Sequence, residues 1–233
     1  MFITIDIKRV LRIILITLLS AGVIVGLVLL TCGNETDDVF CGIYKRTLVI
    51  DPGHGGIDGG AVSASGIKES DINLAIALKT EAIARLCGVY TVMTRSTDTD
   101  NSDGSYSEHN NLLRRAELAN SIDNAVLISI HQNTFPTSNV RGAEVMYSDT
   151  AGSMVLGELT QNNLVQQADP ENRRVAIPAP KSLLLTSSVH CPAILVECGF
   201  LSNPDEALRL ATDKYQTKIA AVLAASYIQF CME

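Results

Sequence analysis

The chain has 233 residues, is 47% hydrophobic and 18% charged, and carries a formal charge of -7. That length suits one sizeable domain, and the composition excludes a disordered chain or a coiled coil. The acidic balance excludes a general nucleic-acid binder, and with no Trp and 5% aromatics there is little surface for stacking bases or sugars.

Taken in chain order, residues 1–12 form a basic segment in which Lys8, Arg9 and Arg12 oppose only Asp6. Ile13 to Leu30 then runs for eighteen residues without a charge, close to the length that spans a bilayer core. Glu35, Asp37 and Asp38 follow, so the positive-inside tendency keeps 1–12 cytoplasmic and exports the remainder. We therefore expect a single-pass cell-membrane protein with a transmembrane anchor or signal at 13–31. Retention is favoured, because LLTCGNETDD lacks an A-x-A cleavage site and Thr31 before Cys32 is a poor lipidation signal. Residues 32–45 read as a polar linker and 46–233 as the folded domain. Export permits disulfides, yet Cys32, Cys41, Cys87, Cys191, Cys198 and Cys231 show no regular spacing, and packed free thiols are the expected state.

From residue 47 onward, apolar β-type runs alternate with helical patterns. The runs are 47–51, 90–94, 125–130, 143–147, 182–185 and 193–196, mostly continuous rather than alternating, as strands covered on both faces are. Helical periodicity covers 69–87, where Ile72, Ala75, Ile76, Ala82, Ile83 and Leu86 share a stripe ahead of Gly88, and then roughly 111–121, 152–168 and 213–230. The pattern predicts an α/β fold, a single domain with a mostly parallel twisted sheet flanked by helices. Ligands of such sheets bind beyond the carboxyl ends of the strands.

Three runs finish there on residue types that bind metals or move protons. The first leads through Asp51-Pro-Gly to His54, the third ends at His131 and the last at Glu197, while Glu69 opens the first long helix above the same edge. Two His and one carboxylate leave an open position on Zn²⁺, the pattern of hydrolytic zinc, and a second carboxylate is then free to act as general base. Amide hydrolysis needs both parts, since the leaving nitrogen must be protonated. The spacing contains no H-E-x-x-H, and a His at a strand end also serves to bond a backbone carbonyl, so the assignment depends on the sheet bringing these residues together. His109 lies in the polar loop SYSEHNN and is expected to be solvated; His190 belongs to the opposite end of the last strand. The Gly-rich loop 51–60 lacks the Gly-Lys-Ser/Thr ending of a phosphate cradle, and its glycines instead permit turns that aim His54.

These blocks resemble the zinc-dependent N-acetylmuramoyl-L-alanine amidases of the amidase-3 family. The matching segments are 49–56 (VIDPGHGG) with Gly59-Gly-Ala61, Lys68-Glu69, Thr94-Arg95, Arg115-Ala-Glu-Leu-Ala-Asn120, Ser129-Ile-His-Gln-Asn133 and 192–203 (PAILVECGFLSN), in family order. The resemblance implies His54, Glu69 and His131 as zinc ligands, Glu197 as catalytic base, and peptidoglycan as substrate, cleaved between N-acetylmuramic acid and L-alanine. Gln132 stands where the family often has Ala, and Cys198 adjoins the implied base, although strand alternation turns it away from residue 197. Arg115 and Asn133 suit either a scaffold role or the orientation of ligands and substrate. One anchor and one catalytic domain is an architecture similar to the sporulation and germination subgroup, which implies action in spore cortex maturation, on the forespore or cell-wall side. A vegetative cell-wall amidase and a non-catalytic or partner-activated wall-binding protein on the same fold are the alternatives, and an unidentified protein activator is a further expectation.

Overall fold

The computed structural model describes residues 45–100 and 106–232. The expected anchor, 13–31, the basic segment and all of the linker but Lys45 lie outside them. Among the described residues no helix is long and apolar enough to cross a membrane.

A six-stranded sheet has the order β2-β1-β3-β6-β4-β5. Its strands are β1 (Thr47–Pro52), β2 (Thr91–Met93), β3 (Ala125–Asn133), β4 (Glu144–Tyr147), β5 (Ile177–Pro178) and β6 (Ala193–Phe200). β2, β1, β3 and β6 run parallel; β4 pairs antiparallel with β6, and β5 parallel with β4. Among the described residues six α-helices accompany them: α1 (Glu69–Leu86), α2 (Glu108–Asn120), α3 (Ser153–Asn163), α4 (Leu184–Ser188), α5 (Pro204–Leu210) and α6 (Asp213–Met232).

Strand alternation divides the core in two. Leu48, Ile50, Val126, Ile128, Ile194, Val196 and Cys198 point to the face packed by α1, α3 and α6. Val49, Leu127 and Ala193 point to the other, covered by Ala116 and Ala119 of α2 and Leu185 of α4. Removing such a side chain, as in Ile128→Ala, costs about 2–5 kcal/mol through lost burial and the cavity left behind. Because α2 and α4 cover only part of their face, β3 and β6 emerge beyond them at the carboxyl edge.

The α/β architecture and five of the six expected strands are as read from the sequence. The run 182–185 is not a strand: Leu184–Ser188 is helical, with Leu183 the extended residue before it. A four-residue apolar run is compatible with either state, and no neighbouring strand is available there to pair with it. β5 escaped notice because it is two residues long at the sheet edge, where Pro178 costs no ladder bond. α5 was also unforeseen, although Asn203 caps it by accepting from Asp205 N at 3.1 Å and Glu206 N at 3.2 Å, with Pro204 at the first turn. The pattern over 152–168 is α3 followed by a π-helical turn at Leu164–Ala168. His109 is solvated as expected, but within the first turn of α2 rather than in a loop, because Ser107 caps that helix earlier than the apolar pattern begins.

Candidate metal centre and active site

The site is assembled at the carboxyl edge of β1, β3 and β6. His54 follows β1 in the left-handed region, with φ 59°. A side chain bears that conformation at a cost of about 1–2 kcal/mol, so the surroundings must enforce it. Two buried arginines do so. Arg115 donates to Pro52 O at 2.7 Å and His54 O at 2.8 Å, and Arg95 to Pro52 O and Gly53 O at 2.9 Å each. Arg95 also reaches Ser70 O at 3.1 Å, which ties the His54 loop to the start of α1. Arg115 is thus scaffold for the loop, held in turn by Asp51 at 2.8 Å and Asn111 at 2.6 Å.

Asp51 is fully buried, and burial pushes its carboxyl pKa up. The Arg115 charge and the hydroxyls of Ser129 and Thr94, both at 2.6 Å, outweigh that and hold it below the usual carboxylate value. The glycines in this loop have a steric purpose. A Cβ on Gly53 would lie 2.2 Å from His131 Cε1, and one on Gly60, itself at φ +64°, would lie 2.7 Å from both Glu69 Oε2 and His54 Cδ2.

Glu69 reaches over the sheet edge from the first residue of α1, and His131 arrives on β3. One ligand atom from each of His54, Glu69 and His131 lies within 4.8 Å of the others. His54 Nε2 is 3.2 Å and His131 Nδ1 3.0 Å from Glu69 Oε1. Donors on a tetrahedral zinc with ~2.0–2.1 Å bonds stand roughly 3.3 Å apart, so this spacing fits such an ion. The ring orientation fits too: Asp58 Oδ2 is 2.8 Å from His54 Nδ1, and a carboxylate can only accept, so Nδ1 carries a proton toward Asp58 and Nε2, on the Glu69 side, is the nitrogen left to ligate an ion. Among the described residues neither imidazole bonds a backbone carbonyl in place of this arrangement.

Glu69 is itself anchored. Its Oε2 accepts from Ala61 N at 2.9 Å and its Oε1 from Gln132 N at 3.0 Å and Asn73 Nδ2 at 3.4 Å. Gln132 Nε2 donates to Asn73 Oδ1 at 3.1 Å, so Gln132 buttresses the carboxylate from behind through Asn73. Burial raises the Glu69 pKa, but its hydrogen bonds to His131 and His54 hold it far below the ordinary range. Burial disfavours the cationic form of His54, and the bonds to Glu69 and Asp58 overcome this and lift its pKa to about 9. A pocket of negative charge that holds a proton this firmly also favours a divalent cation.

Glu197 stands beside this group on β6, with its Cα in register with that of His131. Burial pushes its pKa up to about 7; His131 opposes the shift, and the charges of Glu69 and Glu144 add to it. Its Oε2 is buried without a hydrogen-bond partner among the described residues, an expensive state for a carboxylate unless something enters the cleft to meet it. The cleft holds about 230 Å³ and is lined by His54, His131 and Glu197 together with Tyr106, Leu183 and Leu184.

All four residues singled out in the sequence therefore converge. Cys198 does not join them: it is fully buried on the opposite face, where burial pushes its thiol pKa up. Cys87, Cys191 and Cys231 are likewise free, His190 is exposed beside Asn120 at the far edge, and Asn133 Oδ1 accepts from Thr134 N at 2.7 Å. Sequence reasoning gave no role to Asp58, although a carboxylate four residues after a ligand His was the available signal. Tyr106, whose hydroxyl donates to Asp58 Oδ2 at 2.9 Å, carried no such signal.

Residues 48–228 match the family model for N-acetylmuramoyl-L-alanine amidases, Amidase_3, and the chain belongs to that family. It is similar to the germination-specific N-acetylmuramoyl-L-alanine amidase of Bacillus subtilis (strain 168), with 31% identity over 81% of each chain. Among solved structures it resembles the CwlD amidase from Clostridioides difficile in complex with the GerS lipoprotein, at 33% identity and TM-score 0.74 over 79% of this chain and 98% of that one. It also resembles the amidase AmiC2 of Nostoc punctiforme, at 31% identity and TM-score 0.71 over 83% and 99% of the two chains.

Proposed function

We propose that this protein is a zinc-dependent N-acetylmuramoyl-L-alanine amidase of the cell wall, with His54, Glu69 and His131 holding the metal and Glu197 acting as catalytic base. The observation that carries this reading is the meeting of three ligand atoms within 4.8 Å, with Glu197 in register beside them, its Oε2 buried and without a hydrogen-bond partner among the described residues. When bound, zinc supplies positive charge that polarises the scissile carbonyl and makes water a stronger acid. Glu197, ionised, accepts the proton of the attacking water and returns it to the departing L-alanine nitrogen, so that no amide anion is expelled. Asp58 keeps His54 in its Nε2-directed tautomer, and Ala61 N and Gln132 N fix the Glu69 carboxylate. The apolar lining of the cleft limits competing water around the reacting amide.

The substrate context we favour is spore cortex peptidoglycan, supported by the likeness to a germination-specific amidase. We place the domain outside the cytoplasm on a 13–31 anchor, on the strength of the basic flank before the apolar run and the acidic one after it. A protein activator belongs to the same proposal, since a relative 33% identical to this chain is found in complex with a lipoprotein.

The test uses the full-length protein in detergent, loaded with zinc and given purified cortex or vegetative peptidoglycan. Mass spectrometry of the digest should show new L-alanine amino termini, with cortex the better substrate. No release from either wall, with or without lipoprotein partners, would refute the amidase reading. Equal rates on both would refute only the cortex assignment. Protease protection of the domain in intact cells would refute the orientation.

A further inference from the structure

Leu183 and Leu184 are half-buried and belong to neither hydrophobic core, whereas Leu185 beside them is 4% exposed and packs with Val49 and Leu127. All three line the cleft that contains His54, His131 and Glu197, and of the three Leu183 and Leu184 present surface that neither core buries. Leu195 is part of the same lining, and it sits two residues before Glu197 on β6, hence on the same face of the sheet. The apolar surface therefore adjoins the carboxylate that delivers a proton to the leaving amine.

We propose that Leu183 and Leu184 are specificity residues that read the side chain of the first stem-peptide residue, the methyl group of L-alanine on the amine side of the scissile bond. The inference rests on the amidase reading above. A methyl against two leucine side chains loses water without losing a hydrogen bond. Glycine forfeits that contact, and a hydroxymethyl group buries an oxygen that the wall offers nothing to satisfy. One carbon read by an apolar pocket is worth roughly 10- to 200-fold in kcat/KM, and rejection of an added hydroxyl is on the order of 100-fold. The unforeseen helix α4 is what creates this wall: Leu184 of its first turn lines the cleft with a half-buried side chain, while Leu185 reaches the same lining from within the core.

The test compares matched muropeptides carrying L-alanine, glycine or L-serine at the first stem position, hydrolysed by the zinc-loaded full-length protein in detergent. The wild type should prefer L-alanine to glycine by about tenfold or more in kcat/KM, and to L-serine as well. The Leu183→Ser, Leu184→Ser double variant should keep its metal content and melting temperature while the preference collapses to within about twofold. Leu184→Met should retain it. Equal wild-type rates on alanine and glycine substrates would overturn the proposal even if the double variant failed to fold, and so would an unchanged preference in a folded double variant. Absence of any wild-type hydrolysis of the L-alanine substrate would overturn the amidase reading along with it, whereas hydrolysis without discrimination would remove the wall's role alone.

Discussion

His131 and Glu197 face one another across the parallel strands β3 and β6, their Cα atoms in register, so that a metal ligand and an acid/base group share one row of the sheet. Each strand continues a run of buried residues, Val126 to Ile130, aliphatic but for Ser129, and Ala193 to Val196, that fixes its alternation. A slip of one residue in either strand would turn the functional side chain to the opposite face.

Glu197→Gln should bind zinc as the wild type does and lose about 10²- to 10⁴-fold or more in turnover, because an amide cannot carry the proton. Metal content and release of amino termini measure the two properties separately. In the wild type the base must be ionised, so kcat/KM should rise with pH along an acid limb whose midpoint lies at or below about 7, the bound cation drawing it downward. A profile flat from pH 4 to 8 would argue against Glu197 as base.

Asp58→Asn should weaken zinc binding by about 10- to 100-fold, because the carboxylate whose charge and two accepting oxygens hold His54 Nδ1, Tyr106 and Gly60 N becomes a neutral amide with one acceptor. His54→Ala should abolish both binding and activity. Competition titration with a chelator gives the affinities; an Asp58→Asn affinity equal to wild type would remove Asp58 from the metal's support.

Chelation of the full-length protein should stop hydrolysis and lower its melting temperature, and zinc should restore both. Ligand at about a hundred times its Kd stabilises a folded state by about 2.7 kcal/mol. Activity surviving exhaustive chelation would contradict metal dependence.

Gly53→Ala should displace His131, since the added methyl would occupy its ring position. We expect a loss of about 1–3 kcal/mol in stability from the overpacking, together with impaired zinc binding. Urea unfolding and metal titration check the two effects, and wild-type values in both would mean that the loop shifts freely.

Removing Asp51 or Arg115 alone strands a buried charge, so Arg115→Ala should cost about 3–5 kcal/mol. The folded Asp51 pKa is depressed, so its contribution is complete above the unfolded value near 3.8 and is lost as pH falls through the lower folded value. Urea midpoints measured downward from pH 6 should therefore fall steeply in acid for the wild type and less steeply for Asp51→Asn. Parallel slopes would exclude the pair as a source of acid sensitivity.

How much of this was legible in the sequence depended on whether the cause was local. The positions of His131 and Glu197 could be read because each follows at once on a mostly apolar run, although β3 and β6 continue past them to Asn133 and Phe200. Glu69 could be placed because it opens a periodic helix. The 182–185 run was misread because four leucine-rich residues satisfy both periods, and only the lack of a pairing partner decides for helix.

By itself the sequence determined the alternating layers, the parallel sheet and the three strand ends where chemistry is found, since patterning of buried and polar residues is written along the chain. The tertiary structure alone decided that Arg95 and Arg115 clamp the His54 loop, that Asp58 sets its tautomer, and that two leucines are left facing the cleft. These depend on contacts between residues far apart in the chain, 64 positions for Arg115 and Asp51 alone, whose distances and directions follow from packing and not from any local period.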